Sequence, residues 1–217
     1  MNYIIETPNL ISTEDHLLYD DQHLDSLTSQ NTSIYLRFWE LSKYCVVLGR
    51  SNTKETEVYS KKAKEMNLEV LKRSSGGGTV ILGPGCLCYS LFIPTIFEPC
   101  NSISKTNNYV MTQLRDALIP HNSSIKIQGI TDLCIKHKKF SGNAQRRLKN
   151  TLLFHGTFLY NFDLEIISKF LRHPSKEPEY RKNRDHANFI TNLNIDKSTI
   201  IRRISSQLNC IYLNEVS

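Results

Sequence analysis

Between Leu71 and Leu91 the chain reads LKRSSGGGTVILGPGCLCYSL, and no other stretch restricts the fold so tightly. Three consecutive glycines, Gly76, Gly77 and Gly78, remove every Cβ from the loop after an apolar run. Main chain there can press against a ligand and turn several N–H groups inward. Thr79–Leu82 and Leu87–Ile93 then flank Gly83-Pro84-Gly85, a strong turn signal, which predicts a β-hairpin. Lys72 and Arg73 can neutralise phosphate, and Ser74 and Ser75 add hydroxyl donors. The pattern matches neither the Walker loop nor the dinucleotide fingerprint. A phosphate cradle of another kind and a plain glycine turn both stay open.

Around this segment the periodicity predicts further elements. Tyr3–Ile5, Ile34–Trp39, Tyr44–Leu48, Leu68–Leu71, Ile125–Ile127, Leu133–Ile135 and Leu152–Tyr160 read as strands. Helical spacing runs from Thr13 to Leu27, Lys54 to Met66, Asn101 to Leu118, Asp163 to Leu171 and Ile200 to Leu208. His173–Asn188 is charged, contains two prolines and has no period, so it is expected to be an extended surface loop. Hairpins mixed with helices, without steady βαβ alternation, point to an α+β fold with a mixed or antiparallel sheet and flanking helices. Residues 1–217 are expected to form a single domain with no C-terminal accessory domain.

Composition narrows the function classes. Apolar residues at 40% and charged residues at 22% suit a globular chain rather than a disordered one. No apolar run approaches the roughly 20 residues of a membrane helix, and the N-terminus lacks a secretory pattern. The expectation is a cytoplasmic protein with no membrane partner. Six cysteines in 217 residues read as structural thiols, because Cys45, Cys86 and Cys88 lie in or beside strand-like runs. A net charge of +6 favours an acidic partner. Its clusters are Lys136, Lys138 and Lys139; Arg146, Arg147 and Lys149; and Arg181, Lys182 and Arg184. No RNP motif, zinc finger or helix-turn-helix converts them into a nucleic-acid reader.

A second informative stretch is Gly129–Tyr160. Lys139 precedes Ser141-Gly142-Asn143-Ala144, small residues that let a lysine side chain reach over exposed backbone, and it is expected on an exposed turn. Asp132 is a carboxylate inside an apolar run, where burial is costly without a partner. His155-Gly156 interrupts an apolar strand, leaving room beside the imidazole. Singly, these residues are also a solvated turn lysine, a turn cap and a core histidine.

In combination the segments resemble the lipoate-protein ligase A family, within the biotin/lipoate A/B protein ligase superfamily. The resemblance rests on CVVLGRSN (Cys45–Asn52), KRSSGGGTVILGPGCLCYSL (Lys72–Leu91), DLCIKHKKFSGNAQRR (Asp132–Arg147) and LLFHGTFLYNFDL (Leu152–Leu164). It implies a catalytic domain of the biotin/lipoate ligase type, class II synthetase-like in fold. The implied reaction activates lipoate or octanoate with ATP as acyl-AMP and transfers the acyl group to a carrier lysine. Implied cofactors are ATP and Mg²⁺. Implied partners are lipoyl carrier domains, namely 2-oxoacid dehydrogenase E2 subunits and glycine cleavage H protein, and a separate accessory-domain protein.

Carried over by position, the resemblance assigns Lys139 to the substrate carboxylate and α-phosphate as the catalytic residue. Arg73, Ser75, Gly76, Gly77, Gly78, His155 and Gly156 fall in the acyl pocket. Lys72, Asp132, Ser141, Gly142, Asn143 and Ala144 fall on the nucleotide, with Asp132 touching it or its Mg²⁺. Three departures stand out: Lys72 replaces a frequent second arginine, Leu82-Gly83 replaces a polar His-Asp pair, and no accessory domain is expected. Two other readings stay open. One is an ATP-independent octanoyl or lipoyl transferase, for which Cys134 is the nearest nucleophile in sequence. The other is a lipoate-binding homologue with reduced turnover.

Overall fold

Two nine-residue strands with alternating faces set the architecture, because each must be covered on both sides. A computed structural model describes residues 2–28 and 30–212. In chain order the elements are β1 (Tyr3–Glu6), α1 (Thr13–Ser26), β2 (Ile34–Trp39), β3 (Cys45–Leu48), α2 (Lys54–Glu57), α3 (Ser60–Glu65), β4 (Glu69–Lys72), β5 (Val80–Leu82) and β6 (Cys86–Pro94). They continue with α4 (Ile103–Leu118), β7 (Ile125–Gln128), β8 (Asp132–Ile135), β9 (Lys138–Arg147), β10 (Thr151–Leu159), α5 (Leu164–Phe170), α6 (His186–Phe189), α7 (Lys197–Gln207) and β11 (Cys210–Tyr212). Eight strands form a mixed sheet ordered β11-β1-β2-β6-β10-β9-β8-β7, and β4-β3-β5 form a smaller one. The α+β expectation with a mixed sheet is met.

Strand alternation divides the core. Leu87, Tyr89 and Leu91 of β6, with Phe154 and Phe158 of β10, pack against Val110 and Leu114 of α4 and Ile200 and Ile204 of α7. These helical residues recur at four-residue spacing, the stripe that a helix buries on a sheet. On the opposite face Cys86, Cys88 and Leu159 meet Val46, Val47 and Leu82 of the small sheet and Phe170, Leu171 and Phe189 beyond it. Ser12 caps α1 in a reciprocal box with Asp15, which fixes where that helix begins.

Three expectations fail, each for a local reason. No hairpin forms across Gly83-Pro84-Gly85: β5 pairs with β3, while β6 pairs with β2 and β10. Gly85 has φ +84°, and a Cβ there would lie 2.1 Å from Asn161 O. Its amide donates to Glu40 Oε1 at 2.7 Å, so the turn is a corner between two sheets. The helix over Lys54–Met66 breaks after Glu57, where Val58 makes a bridge with Leu171 and the Tyr59 amide donates to Phe170 O at 2.8 Å. The 173–188 segment is no free surface loop. Pro174, Lys176, Pro178, Arg181 and His186 line a cavity, and the segment forms a strap across it.

Candidate active site

Strand register lays out two rows of residues on the face of the large sheet that bears the cavity. One row is Arg37, Ser90, His155 and Ala144; the next is Trp39, Cys88, Thr157, Gly142 and Asp132. The first row is polar and roofed by α1 and the glycine loop. Arg37, fully buried, donates to Asp20 Oδ1 through Nε (2.9 Å) and Nη2 (2.7 Å), and to His16 O at 2.7 Å. Ser90 Oγ donates to the other Asp20 oxygen at 2.9 Å. Ser75 Oγ lies 2.6 Å from His155 Nε2 and accepts from Arg73 Nε at 3.1 Å. Ser75 thus links the guanidinium to one ring nitrogen, while Nδ1 on the other side of the ring faces Asp20 Oδ2 at 3.8 Å. Burial, reinforced by Arg73 and Arg37, pushes the His155 pKa down to about 3, so the ring is neutral.

The second row opens into a cavity of about 250 Å³, walled by Val47, Val80 and Leu82 from the small sheet and by Phe189 and Ile190, which directly follow the strap. Lys139 reaches it through a bulge. Leu133 pairs with Ser141 but Cys134 pairs with Lys139, so β9 spends one extra residue, Phe140, at this point. Without that insertion Lys139 would share a face with Ser141. With it, Lys139 joins Asp132 and Gly142 on the cavity face. Its side chain then lies over bare backbone: a Cβ on Gly142 would stand 2.6 Å from Lys139 Nζ. The ammonium bonds Asp132 Oδ1 at 2.8 Å, with the two side chains 30% and 11% exposed. Lys139 thus sits within a strand, correcting the expected exposed turn; that turn falls at Lys136 and His137, both at positive φ.

Arg73 acts as a brace for the glycine loop. Its Nη2 donates to Gly76 O at 2.7 Å and Gly78 O at 2.8 Å, and Nη1 to Val47 O at 3.3 Å. These donors point at loop carbonyls, so the phosphate contact expected of Arg73 is not what the geometry favours. A Cβ on Gly76 or Gly78 would meet no atom within 4 Å, so the space those glycines leave is open. Lys72 is exposed on β4 and does not line the cavity, so it is not brought into the site.

Gly156 and Asn143 correct a further expectation. A Cβ on Gly156 would lie 1.8 Å from Asn143 Oδ1, so the room belongs to the asparagine on the α4 side and not to the imidazole. Asn143 Oδ1 accepts from Tyr89 OH at 2.6 Å, and Nδ2 donates to Thr131 O at 2.7 Å and Ser141 Oγ at 3.1 Å. Its side chain is spent on holding β9 in place, and the hydroxyl of Ser141 takes part in the same group. Gly142 and Ala144 line the cavity beside Lys139.

Sequence reasoning missed Asp20, Arg37, Trp39 and Tyr180. Arg37 carried a signal, a charge inside the apolar strand IYLRFW; its partner Asp20 lies in another element and was not identifiable from spacing. Tyr180 was hidden in a segment without period. Its hydroxyl donates to Asp132 Oδ2 at 2.6 Å. Cys134 accompanies it, buried, with its thiol pushed up to about 11 by burial; it does not line the cavity, whereas Cys88 does. Of the basic residues, Arg181 is buried with its guanidinium 4.5 Å over the Phe189 ring, and Arg146 donates to Asp21 Oδ1 at 2.7 Å. Among the described residues no helix is long and apolar enough to cross a membrane.

The site thus sets the Lys139 ammonium, paired with Asp132, among the lining residues of a largely apolar cavity. The chain belongs to the lipoyl protein ligase A/B catalytic domain family, whose model matches residues 12–202. A probable lipoate-protein ligase A of Mycoplasma genitalium is 32% identical over 135 residues, covering 62% of this chain and 39% of the relative. This chain spans about two-fifths of the length of such curated relatives. Among solved structures, an archaeal lipoylation system, a bi-partite lipoate protein ligase and its E2 lipoyl domain from Thermoplasma acidophilum, superposes with a TM-score of 0.80 at 20% identity. That match covers 97% of this chain and 85% of that one. Lipoate-protein ligase A bound with ATP gives 0.79 at 20% identity, covering 99% and 90%. At these identities the likeness is one of fold.

Proposed function

We propose that the chain activates lipoate, or a similar acyl acid such as octanoate, with ATP and passes the acyl group to a lysine of a lipoyl carrier domain. The observation that carries this reading is the Lys139 ammonium held over Gly142 at the edge of an apolar cavity. The acid's tail would lie along the row Gly142, Thr157, Cys88 and Trp39, with its carboxylate at Lys139. A carboxylate oxygen attacks the α-phosphorus, an O–P bond forms, and pyrophosphate leaves with the electrons of the broken P–O bond. Negative charge gathers at that phosphorus, where a fixed ammonium and the open backbone around Gly76 and Gly78 are the stabilisers available. The carrier amine then attacks the acyl carbon, AMP departs and the amine gives up a proton. The strap limits access of water to the mixed anhydride.

ATP would bring a divalent cation with it. Among the described residues no group of three or more His, Cys, Asp or Glu side chains could hold a metal. Asp132, the carboxylate the resemblance offers for Mg²⁺, has both oxygens engaged, by Lys139 at 2.8 Å and Tyr180 at 2.6 Å, so the cation would be held by the phosphates of ATP. Bound there, the cation would supply charge neutralisation on the phosphates. E2 and H-protein lipoyl domains are the proposed acyl acceptors.

Incubation with ATP, lipoate and a lipoyl domain, followed by intact mass, tests the reading. The expected result is one lipoyl increment on the carrier that requires ATP. Modification from an octanoyl carrier without ATP would instead establish the transferase, and no increment under either condition would refute both.

A further inference from the structure

Two donors share Asp132: Lys139 Nζ on Oδ1 at 2.8 Å and the Tyr180 hydroxyl on Oδ2 at 2.6 Å. The carboxylate is nearly buried, so an oxygen that loses its donor is not readily rehydrated. Lys139 lines the cavity, whereas Asp132 and Tyr180 stand behind it. An acid entering the cavity therefore competes with Asp132 for one ammonium, and the cost of winning depends on what Asp132 keeps.

Tyr180 is well fixed for that duty. Its ring centroid is 5.4 Å from that of Phe189, and its Cε1 packs close to Gly129, where an added Cβ would lie only 3.2 Å from it. Its carbonyl accepts from Arg184 Nη2 at 2.8 Å, and its hydroxyl oxygen accepts from Cys134 Sγ at 3.5 Å. With the thiol donating to that oxygen, the hydroxyl hydrogen is directed at Asp132. The strap thus carries a donor that does not depend on the lysine.

We infer that Tyr180 is a positioning residue that holds Asp132 when Lys139 turns to the substrate carboxylate, so that binding of an acid does not strand a buried charge. The inference rests on the proposed acyl-acid site. It predicts a discrimination by ligand charge, because only a carboxylate draws Lys139 away from Asp132. Lipoamide has the same tail without the charge.

Isothermal titration of the full chain with lipoate and with lipoamide, for wild type and Tyr180→Phe, tests this. The variant is expected to bind lipoate about tenfold more weakly, the scale of a lost hydrogen bond to a buried charged group, and lipoamide as wild type does. Equal weakening of both ligands would reduce Tyr180 to a structural part of the strap and overturn the inference. Unchanged lipoate affinity would overturn it as well. Wild type that binds neither ligand would refute the site itself, and is distinguished by that pattern.

Discussion

At Gly156 an added Cβ would stand 1.8 Å from Asn143 Oδ1, whereas at Gly76 and Gly78 it would meet nothing within 4 Å. Alanine at these positions should therefore give opposite phenotypes. Gly156→Ala is expected to cost about 2 kcal/mol or more, since neither strand can yield without breaking the bonds of Asn143. Gly76→Ala and Gly78→Ala should leave the melting temperature unchanged and lower acyl-adenylate formation by filling space meant for a ligand. Thermal denaturation beside an adenylation assay separates the two classes. Identical sequence symbols gave no hint of this difference, which depends on what stands opposite each glycine. His155 makes a further residue-scale prediction. Its folded pKa of about 3 lies below the ordinary 6.5, so the unfolded chain takes up the proton first. Stability is full above pH 6.5 and falls as pH drops towards 3, by about 2 kcal/mol at pH 5. His155→Gln should flatten that slope in melting temperatures measured from pH 7 to 5.

Elements place these residues, and here the sequence was legible in part. Strands and helices with a clean period, such as Ile34–Trp39 and the long helix ending at Leu118, lie where the spacing puts them. What escaped were features set by pairing between distant segments: the corner at Gly83–Gly85, the break at Val58 and the bulge at Phe140. A bulge has no local signature, yet it alone decides that Lys139 faces the cavity and not the opposite side. The strap escaped for a related reason. Its order comes from contacts such as Arg184 Nη1 to His137 O at 3.0 Å and Ser175 Oγ to Glu57 Oε1 at 2.5 Å, and neither follows from composition. Amide hydrogen exchange over residues 174–184 should slow when lipoate and ATP are added together, because the strap would then pack on an occupied cavity. Exchange indifferent to both ligands would deny the strap a part in retaining substrate.

For the whole molecule, the mixed sheet and the order of motifs sufficed to anticipate the fold class. The net charge of +6 favours an acidic partner without locating its contact. Arg181 is buried and Arg146 is paired with Asp21, so under the proposed function the steering of an acidic carrier is expected of exposed lysines such as Lys136 and Lys182. Reversal of both to glutamate should lower the association rate with the carrier most strongly at low salt, with little change in adenylation. Stopped-flow association at two ionic strengths measures the first effect. Everything else turns on the ammonium at Gly142. Lipoate-dependent exchange of pyrophosphate into ATP, compared between wild type and Lys139→Ala, reports on it most directly. The predicted result is exchange by wild type that requires lipoate and falls at least about a hundredfold in the variant, with its fold retained. Exchange near the wild-type rate in a folded Lys139→Ala protein would contradict it.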